Sequence, residues 1–191
     1  MNITQIMAPT RHNQGFALAA SGRCRHAGFT LVELIVVVVM LGALALVAVP
    51  SMASAQTSRS RGAAQQIGQD LNFARRRAQA TGVASWVVFT PAQSMYSVLS
   101  ESTVTPGRLN ASTITDPASG QPMLIRLRES GFDGVTIQST TLMNNEVGFD
   151  RFGRPTLSTG ALMTSNGVVT LSAGATVNIS AQTGLITVST P

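Results

Sequence analysis

Hydrophobic residues follow three successive patterns along this chain of 191 residues. The first is a nearly continuous apolar run over residues 28–50, which a single acid, Glu33, interrupts near its beginning. At about 1.5 Å per residue, a helix of this length is ~30 Å long and can cross the hydrocarbon core of a bilayer. The first pattern therefore predicts a membrane-spanning helix.

The second pattern, over residues 51–82, has the period of an amphipathic helix. Apolar residues recur there at steps of three and four, which places them on one face. Gly82 is a suitable residue to end this helix. The predicted buried stripe consists of Ala63, Ala64, Ile67, Leu71, Ala74 and Ala78.

The third pattern, after Gly82, alternates with a period of two and predicts β-strands. Pro91–Gln93 should form a hairpin turn, and residues 101–122 a long loop. Phe149 and Phe152 are expected to anchor the core on either side of a glycine-containing turn, within which Asp150, Arg151 and Arg154 can pair. The strands are predicted at residues 83–90, 94–100, 123–128, 134–140, 167–171, 175–180 and 185–189.

Together the patterns predict an α+β protein in which a long N-terminal helix packs on a mostly antiparallel β-sheet head. The helix has a transmembrane half and an amphipathic half. The predicted segments are a leader at 1–28, a membrane helix at 29–50, an amphipathic helix at 51–82 and a β-rich head at 83–191.

Composition narrows the chemistry that residues 29–191 can perform. The single cysteine, Cys24, and both histidines, His12 and His26, precede this part of the chain. The commonest metal ligands and the commonest general base are therefore missing from it. We expect no enzymatic activity, no catalytic residues, no metal site and no cofactor.

The net charge of the chain gives little support for nucleic-acid binding. All 13 basic residues are arginine, and the formal net charge is +5. Three of the arginines precede the apolar run, so residues 29–191 carry 10 arginines against 8 acids, a net charge of +2. Arg23 and Arg25 predict instead that the N-terminal flank stays cytoplasmic and the head lies on the other side of the membrane.

Three interpretations of the apolar run compete. A secretory signal peptide has support in the small residues 53–55, but its apolar core is usually shorter. A plain membrane anchor leaves Glu33 unexplained, because a carboxylate at the centre of a span costs up to ~3 kcal/mol. The third interpretation rests on the residues Gly28-Phe29-Thr30-Leu31-Val32-Glu33 and the apolar residues that follow them.

These residues resemble the N-terminus of type IV prepilins and type II secretion pseudopilins. The resemblance implies cleavage by a prepilin peptidase between Gly28 and Phe29, and N-methylation of Phe29. It implies that Glu33 sets the register of a filament by meeting the Phe29 amine of a neighbouring subunit. Gly42 and Pro50 match positions where helices of this family bend.

In the head, residues 71–80 and 147–155 resemble the GspH/FimT family of minor pseudopilins and minor pilins. That family implies function by assembly. Its partners are other pilins or pseudopilins in a filament, the prepilin peptidase and N-methyltransferase, and an inner-membrane assembly platform. The resemblance implies a single-pass precursor in the bacterial inner membrane, with a cytoplasmic leader and a periplasmic head, that then enters a periplasmic pseudopilus or a surface pilus.

DNA is a further partner to consider, because one branch of that family binds it through a C-terminal Gly-Arg-x-Arg segment. The corresponding place here is Gly184-Leu185-Ile186-Thr187, where both arginines are replaced. DNA binding is therefore not favoured, and solvated surfaces are the preferred interpretation of the remaining arginines. The residues left for a weak DNA contact are Arg75, Arg76, Arg77, Arg126 and Arg128.

The sequence thus predicts a minor pilin or pseudopilin, a structural subunit of a type II secretion pseudopilus or a type IV pilus. Two alternatives stay open: a DNA-binding minor pilin for natural transformation, and a soluble periplasmic β-protein released after Ala55.

Overall fold

The computed structural model describes residues 29–190, and for residues 46–53 it describes the backbone alone. The chain divides into two compact units, Met1–Ala43 and Leu44–Pro191. The predicted leader at 1–28, including Gly28, lies outside the described residues.

One helix, α1, runs from Leu31 to Thr81. It begins at Thr30, whose Oγ1 accepts a hydrogen bond from the backbone N–H of Glu33 at 3.2 Å. This is the side-chain cap that serine and threonine commonly supply at a helix start. The helix ends as predicted at Gly82, which has a φ of +71° and donates its N–H to the Ala78 carbonyl at 3.0 Å.

Ten strands follow in the described part of the chain, and every strand pairing there is antiparallel. In chain order they are β1 Ser85–Thr90, β2 Met95–Ser100, β3 Ser112–Thr113, β4 Leu124–Arg126, β5 Ile137–Thr140, β6 Glu146–Phe149, β7 Pro155–Thr156, β8 Gly167–Leu171, β9 Thr176–Ile179 and β10 Ile186–Ser189.

The strands form two sheets. The first has the order β3-β2-β1-β6-β7, and β4 also pairs with β2, so that β4 and β7 lie at opposite ends. The second has the order β10-β9-β8-β5. Strands β8, β9 and β10 are neighbours in this sheet in chain order, so they form an antiparallel meander.

The core joins the C-terminal half of α1 to both sheets. The predicted helical stripe is fully buried, and Gly68 lets β10 come close, because a Cβ there would lie 3.1 Å from Val188 Cγ2. Burying this stripe is the main source of stabilisation for such a helix. The stripe residues with no exposed surface are Ala63, Ala64, Ile67, Leu71, Ala74 and Ala78.

Several predicted boundaries are wrong, and the hydrogen bonds give the reason. The strand expected at residues 123–128 ends at Arg126, because the Glu129 N–H turns back to the Arg126 carbonyl at 3.0 Å. Residues 134–136 precede β5 rather than belong to it. The long loop at 101–122 contains the short strand β3, which pairs with β2.

Candidate assembly surfaces

The first turn of α1 carries an acidic residue, Glu33. The N–H of Glu33 is occupied by Thr30, but its carboxylate makes no hydrogen bond or ion pair within residues 29–190. Only half of a capping box is therefore present, since the side chain does not return to Thr30. A carboxylate in the first turn is favoured by the positive end of the helix dipole. Phe29, just before the helix, is 77% exposed.

Apolar side chains surround the first turns of α1. Every large apolar residue from Leu31 to Leu41 is exposed. A helix that is apolar on all sides needs either lipid or other helices around it. Within the residues that the structure describes, no helix combines the length and the hydropathy needed to cross a bilayer.

Gly42 and Pro50 both lie inside α1, so neither residue ends the helix. A Cβ added at Gly42 would meet no atom within 4 Å. The side chain of Pro50 lies outside the described residues. A bend at either position stays a prediction.

Arg75 connects α1 to two distant loops. Its Nε donates to the Gly153 carbonyl at 2.9 Å, its Nη1 to the Gly184 carbonyl at 3.1 Å and its Nη2 to the Thr183 carbonyl at 3.0 Å. The interpretation of Arg75 as part of a solvated surface is therefore wrong, because its planar fork of donors is occupied by loop carbonyls of the head.

The next two arginines have different surroundings, as expected for residues that fan out by about 100° along a helix. Arg76 is exposed, whereas Arg77 is half-buried. The buried Nε of Arg77 makes no hydrogen bond within the described residues. Arg77 lines a cavity of about 370 Å³ together with Glu101 and several hydroxyl side chains.

Arg126 and Arg128 do not lie on one strand, although both fall within the strand predicted at residues 123–128. Arg126 is the last residue of β4 and pairs with Glu129 at 3.2 Å. Arg128 lies beyond the strand in a turn, and its side chain is exposed. The exposed pair of Arg126 and Glu129 contributes little stability.

The turn Asp150–Arg154, hereafter the Phe152 turn, carries a surface that the sequence analysis missed. Phe149 is buried as predicted, but Phe152 is 60% exposed, so its assignment to the core is wrong. The guanidinium carbons of Arg151 and Arg154 lie 4.9 and 5.1 Å from the centre of its ring. The sequence feature that could have indicated this surface is a phenylalanine between two arginines in a turn.

Internal hydrogen bonds shape this turn. Asp150 Oδ1 accepts the N–H groups of Phe152 and Arg154, each at 2.9 Å, and its Oδ2 pairs with the Arg154 guanidinium at 2.7 Å. Burial acts to raise the pKa of Asp150, but these donors outweigh it and lower that pKa. The predicted local pairing is therefore confirmed for Asp150 with Arg154, while Arg151 stacks on Phe152 instead.

A buried carboxylate, that of Asp70, lies on the flank of α1 that faces away from the Phe152 turn. Asp70 accepts hydrogen bonds from the Tyr96 hydroxyl at 2.5 Å and from Gln66 Nε2 at 3.1 Å. Burial raises the pKa of Asp70, although both donors oppose the change. Burial and the neighbouring carboxylate also raise the pKa of Tyr96. Among the described residues, no three His, Cys, Asp or Glu side chains form a group that could hold a metal ion.

Comparison with protein families gives one match. Residues 23–49 match the family model described as the Prokaryotic N-terminal methylation motif. This is the stretch that contains Gly28, Phe29 and Glu33. No curated protein sequence matches significantly.

The fold is shared with two solved structures of one protein. Two structures of the minor pseudopilin EpsH from the type II secretion system of Vibrio cholerae align with TM-scores of 0.50 at 11% identity. They cover 70% and 71% of this chain and 98% and 96% of EpsH. At that identity the likeness shows the fold alone. The type IV minor pilin FimU of Pseudomonas aeruginosa aligns at 15% identity over 67% of this chain and 86% of FimU, with a TM-score of 0.43.

Proposed function

We propose that this protein is a minor pilin or pseudopilin that acts as a structural subunit of a filament. The methylation motif and the EpsH-like fold support this role. The observation that carries it is the carboxylate of Glu33, which has no partner within residues 29–190 and lies among exposed apolar side chains at the start of α1. Such a carboxylate requires a cationic partner once it is surrounded by lipid or by other helices.

The precursor is cleaved between Gly28 and Phe29, and the new amine is methylated. Residues 29–50 then anchor the protein in the inner membrane until a neighbouring subunit packs against them. In the filament, the carboxylate of Glu33 meets the Phe29 amine of a neighbour and sets the axial register. A charge-assisted hydrogen bond of this kind is among the stronger polar contacts available to side chains.

Mass spectrometry of the mature N-terminus tests the processing. A methylated Phe29 supports the proposal, whereas an N-terminus at Gln56 indicates release as a soluble periplasmic protein. Glu33→Leu should leave cleavage intact but impair incorporation into filaments. Glu129→Gln removes an exposed acid from the head and serves as the matched control. Normal incorporation of Glu33→Leu would contradict the assigned role of Glu33.

DNA binding is not favoured. The donors of Arg75 are used by loop carbonyls, and Arg126 is paired with Glu129. These contacts reduce the number of arginines that can neutralise phosphates, and that number governs affinity and its salt dependence. Salt-sensitive retention of the intact protein on duplex DNA would reverse this assignment.

A further inference from the structure

The Phe152 turn is built to present an aromatic side chain. Gln79 Nε2 donates to the Phe152 carbonyl at 3.2 Å, and Arg75 Nε holds the next carbonyl, that of Gly153. Both donors belong to α1, so the back of the turn is fixed while the Phe152 ring faces solvent. Arginine and aromatic residues, phenylalanine included, are enriched at protein interfaces.

A cleft of complementary character lies elsewhere in the head. Its volume is about 280 Å³, and it combines the carboxylates of Asp70 and Asp116 with apolar side chains. The hydroxyl of Ser119 and the N–H of Ala118 lower the pKa of Asp116, so its carboxylate is charged at neutral pH. This Asp116 cleft is lined by Gln66, Asp70, Asp116, Ser119, Gln121, Pro122, Met123, Leu124 and Ile125.

The turn and the cleft occupy opposite flanks of α1. Gln66 and Asp70 border the cleft, whereas Arg75 and Gln79 hold the turn. The midpoints of these two pairs are nine residues apart, which amounts to a half-turn of rotation and a rise of about 13 Å. The first sheet agrees with this placement, because the cleft lies beside β4 at one end and the turn adjoins β7 at the other.

Two different surfaces on opposite sides of one subunit make a heterologous contact. Such a contact is not self-complementary, and its repetition gives a closed ring if the rotation between copies closes and an open helical array if it does not. The cleft supplies negative charge with apolar walls, and the turn supplies an aromatic ring with positive charge. Both surfaces lie in the unit Leu44–Pro191, so each is present on every head.

We infer that the Phe152 turn of one copy docks in the Asp116 cleft of a second copy, with Phe152 against the apolar wall and Arg151 opposite Asp116. This contact rests on the proposed filament function and names the surfaces through which the heads meet. It adds a contact between heads to the one proposed for Glu33.

Cysteine cross-linking of the intact protein in mild detergent tests the contact. One copy carries Gln121→Cys at the cleft. Another carries Leu185→Cys beside the turn. Leu185 follows Gly184, and Arg75 donates hydrogen bonds both to the Gly184 carbonyl and to the Gly153 carbonyl of the turn. Both copies also carry Cys24→Ser, and a short bis-maleimide is expected to join them. The matched control replaces Gln121→Cys with Leu109→Cys, since Leu109 is 98% exposed and does not line the cleft.

Two further changes test the chemistry of the contact. Arg151→Glu in the copy that presents the turn should lower the cross-linking yield at least about tenfold, because like charges then meet. Asp116→Arg in the copy that presents the cleft should restore the yield. Phe152→Ala should lower the yield on the order of 30-fold, as for other interface anchors. Leu109→Ala should leave it unchanged, and Trp86 fluorescence reports whether each variant is folded.

Three results would overturn the inference: equal yields for Gln121 and Leu109 partners, yields insensitive to Arg151→Glu and Phe152→Ala, or cross-links only to a different protein. If Phe29 is methylated and filaments form while the cross-link is absent, the docking contact alone fails. If Phe29 is not the mature N-terminus, the proposed function fails, and the cross-link still reports on the heads.

Discussion

Replacing Arg75 by alanine should destabilise the head strongly, because one side chain holds three carbonyls from two loops. Hydrogen bonds to a charged group contribute about 1.5–3 kcal/mol each, but bonds that share one guanidinium do not add fully. We therefore expect a loss of about 3 kcal/mol in the free energy of unfolding. This lowers the ratio of folded to unfolded protein on the order of 100-fold.

Two control variants separate this effect from a simple loss of charge. Arg75→Lys keeps the charge but cannot reproduce the planar fork, so it should still cost about 2 kcal/mol. Arg76→Ala removes the neighbouring, exposed arginine and should change stability by less than about 0.5 kcal/mol.

Urea unfolding of the intact protein in mild detergent measures these differences. Trp86 is the single tryptophan and lies buried in β1, so its fluorescence follows the head. The midpoint should shift without a change in the dependence on urea. A value for Arg75→Ala within about 0.5 kcal/mol of the unmodified protein would refute the structural role of Arg75.

Two other substitutions follow from the same contacts. Tyr96→Phe removes a donor to buried Asp70 and should cost about 2 kcal/mol at pH 7. The folded pKa of Asp70 lies above 3.8, so its contribution to stability is greatest below 3.8 and falls as pH rises through the folded value. The cost of Tyr96→Phe should therefore be smaller at about pH 4, and urea unfolding that gives equal costs at both pH values would contradict this. Gly148→Ala would place a Cβ 2.5 Å from Trp86 Nε1. We therefore expect a loss of about 2–3 kcal/mol in the free energy of unfolding and a shift in the Trp86 emission. Unchanged emission and stability would contradict this packing.

Local periodicity accounts for the success of the strand and helix predictions. The stripe from Ala63 to Ala78 is buried as expected, and β8 has the predicted bounds. Both depend on repeats that neighbouring residues impose on each other, 3.6 for a helix and 2 for a strand. Pairing between distant segments is not encoded in this way, and the division of the strands into two sheets was accordingly missed.

The three consecutive arginines illustrate the limit of this reasoning. Their chemistry is identical, but Arg75 binds carbonyls 78 to 109 residues away, Arg76 is exposed and Arg77 has a buried Nε. Which arginine donates hydrogen bonds to the loops depends on where the loops pack against the helix. Sequence patterns predict that such residues fan out, but not which one finds a partner.

The sequence alone predicted the processing motif and identified the helix face that is buried. The Gly28–Glu33 motif and the apolar run are contiguous, and the helical stripe is periodic. Each can therefore be recognised from residues that are close together in the sequence. Only the tertiary structure decided the surfaces of the head. Phe152 is exposed because Arg75 and Gln79 hold its turn from behind, and Asp70 is buried because Tyr96 reaches it across the core. These contacts join residues 26 to 78 positions apart, and it is chain folding that brings them within hydrogen-bonding distance.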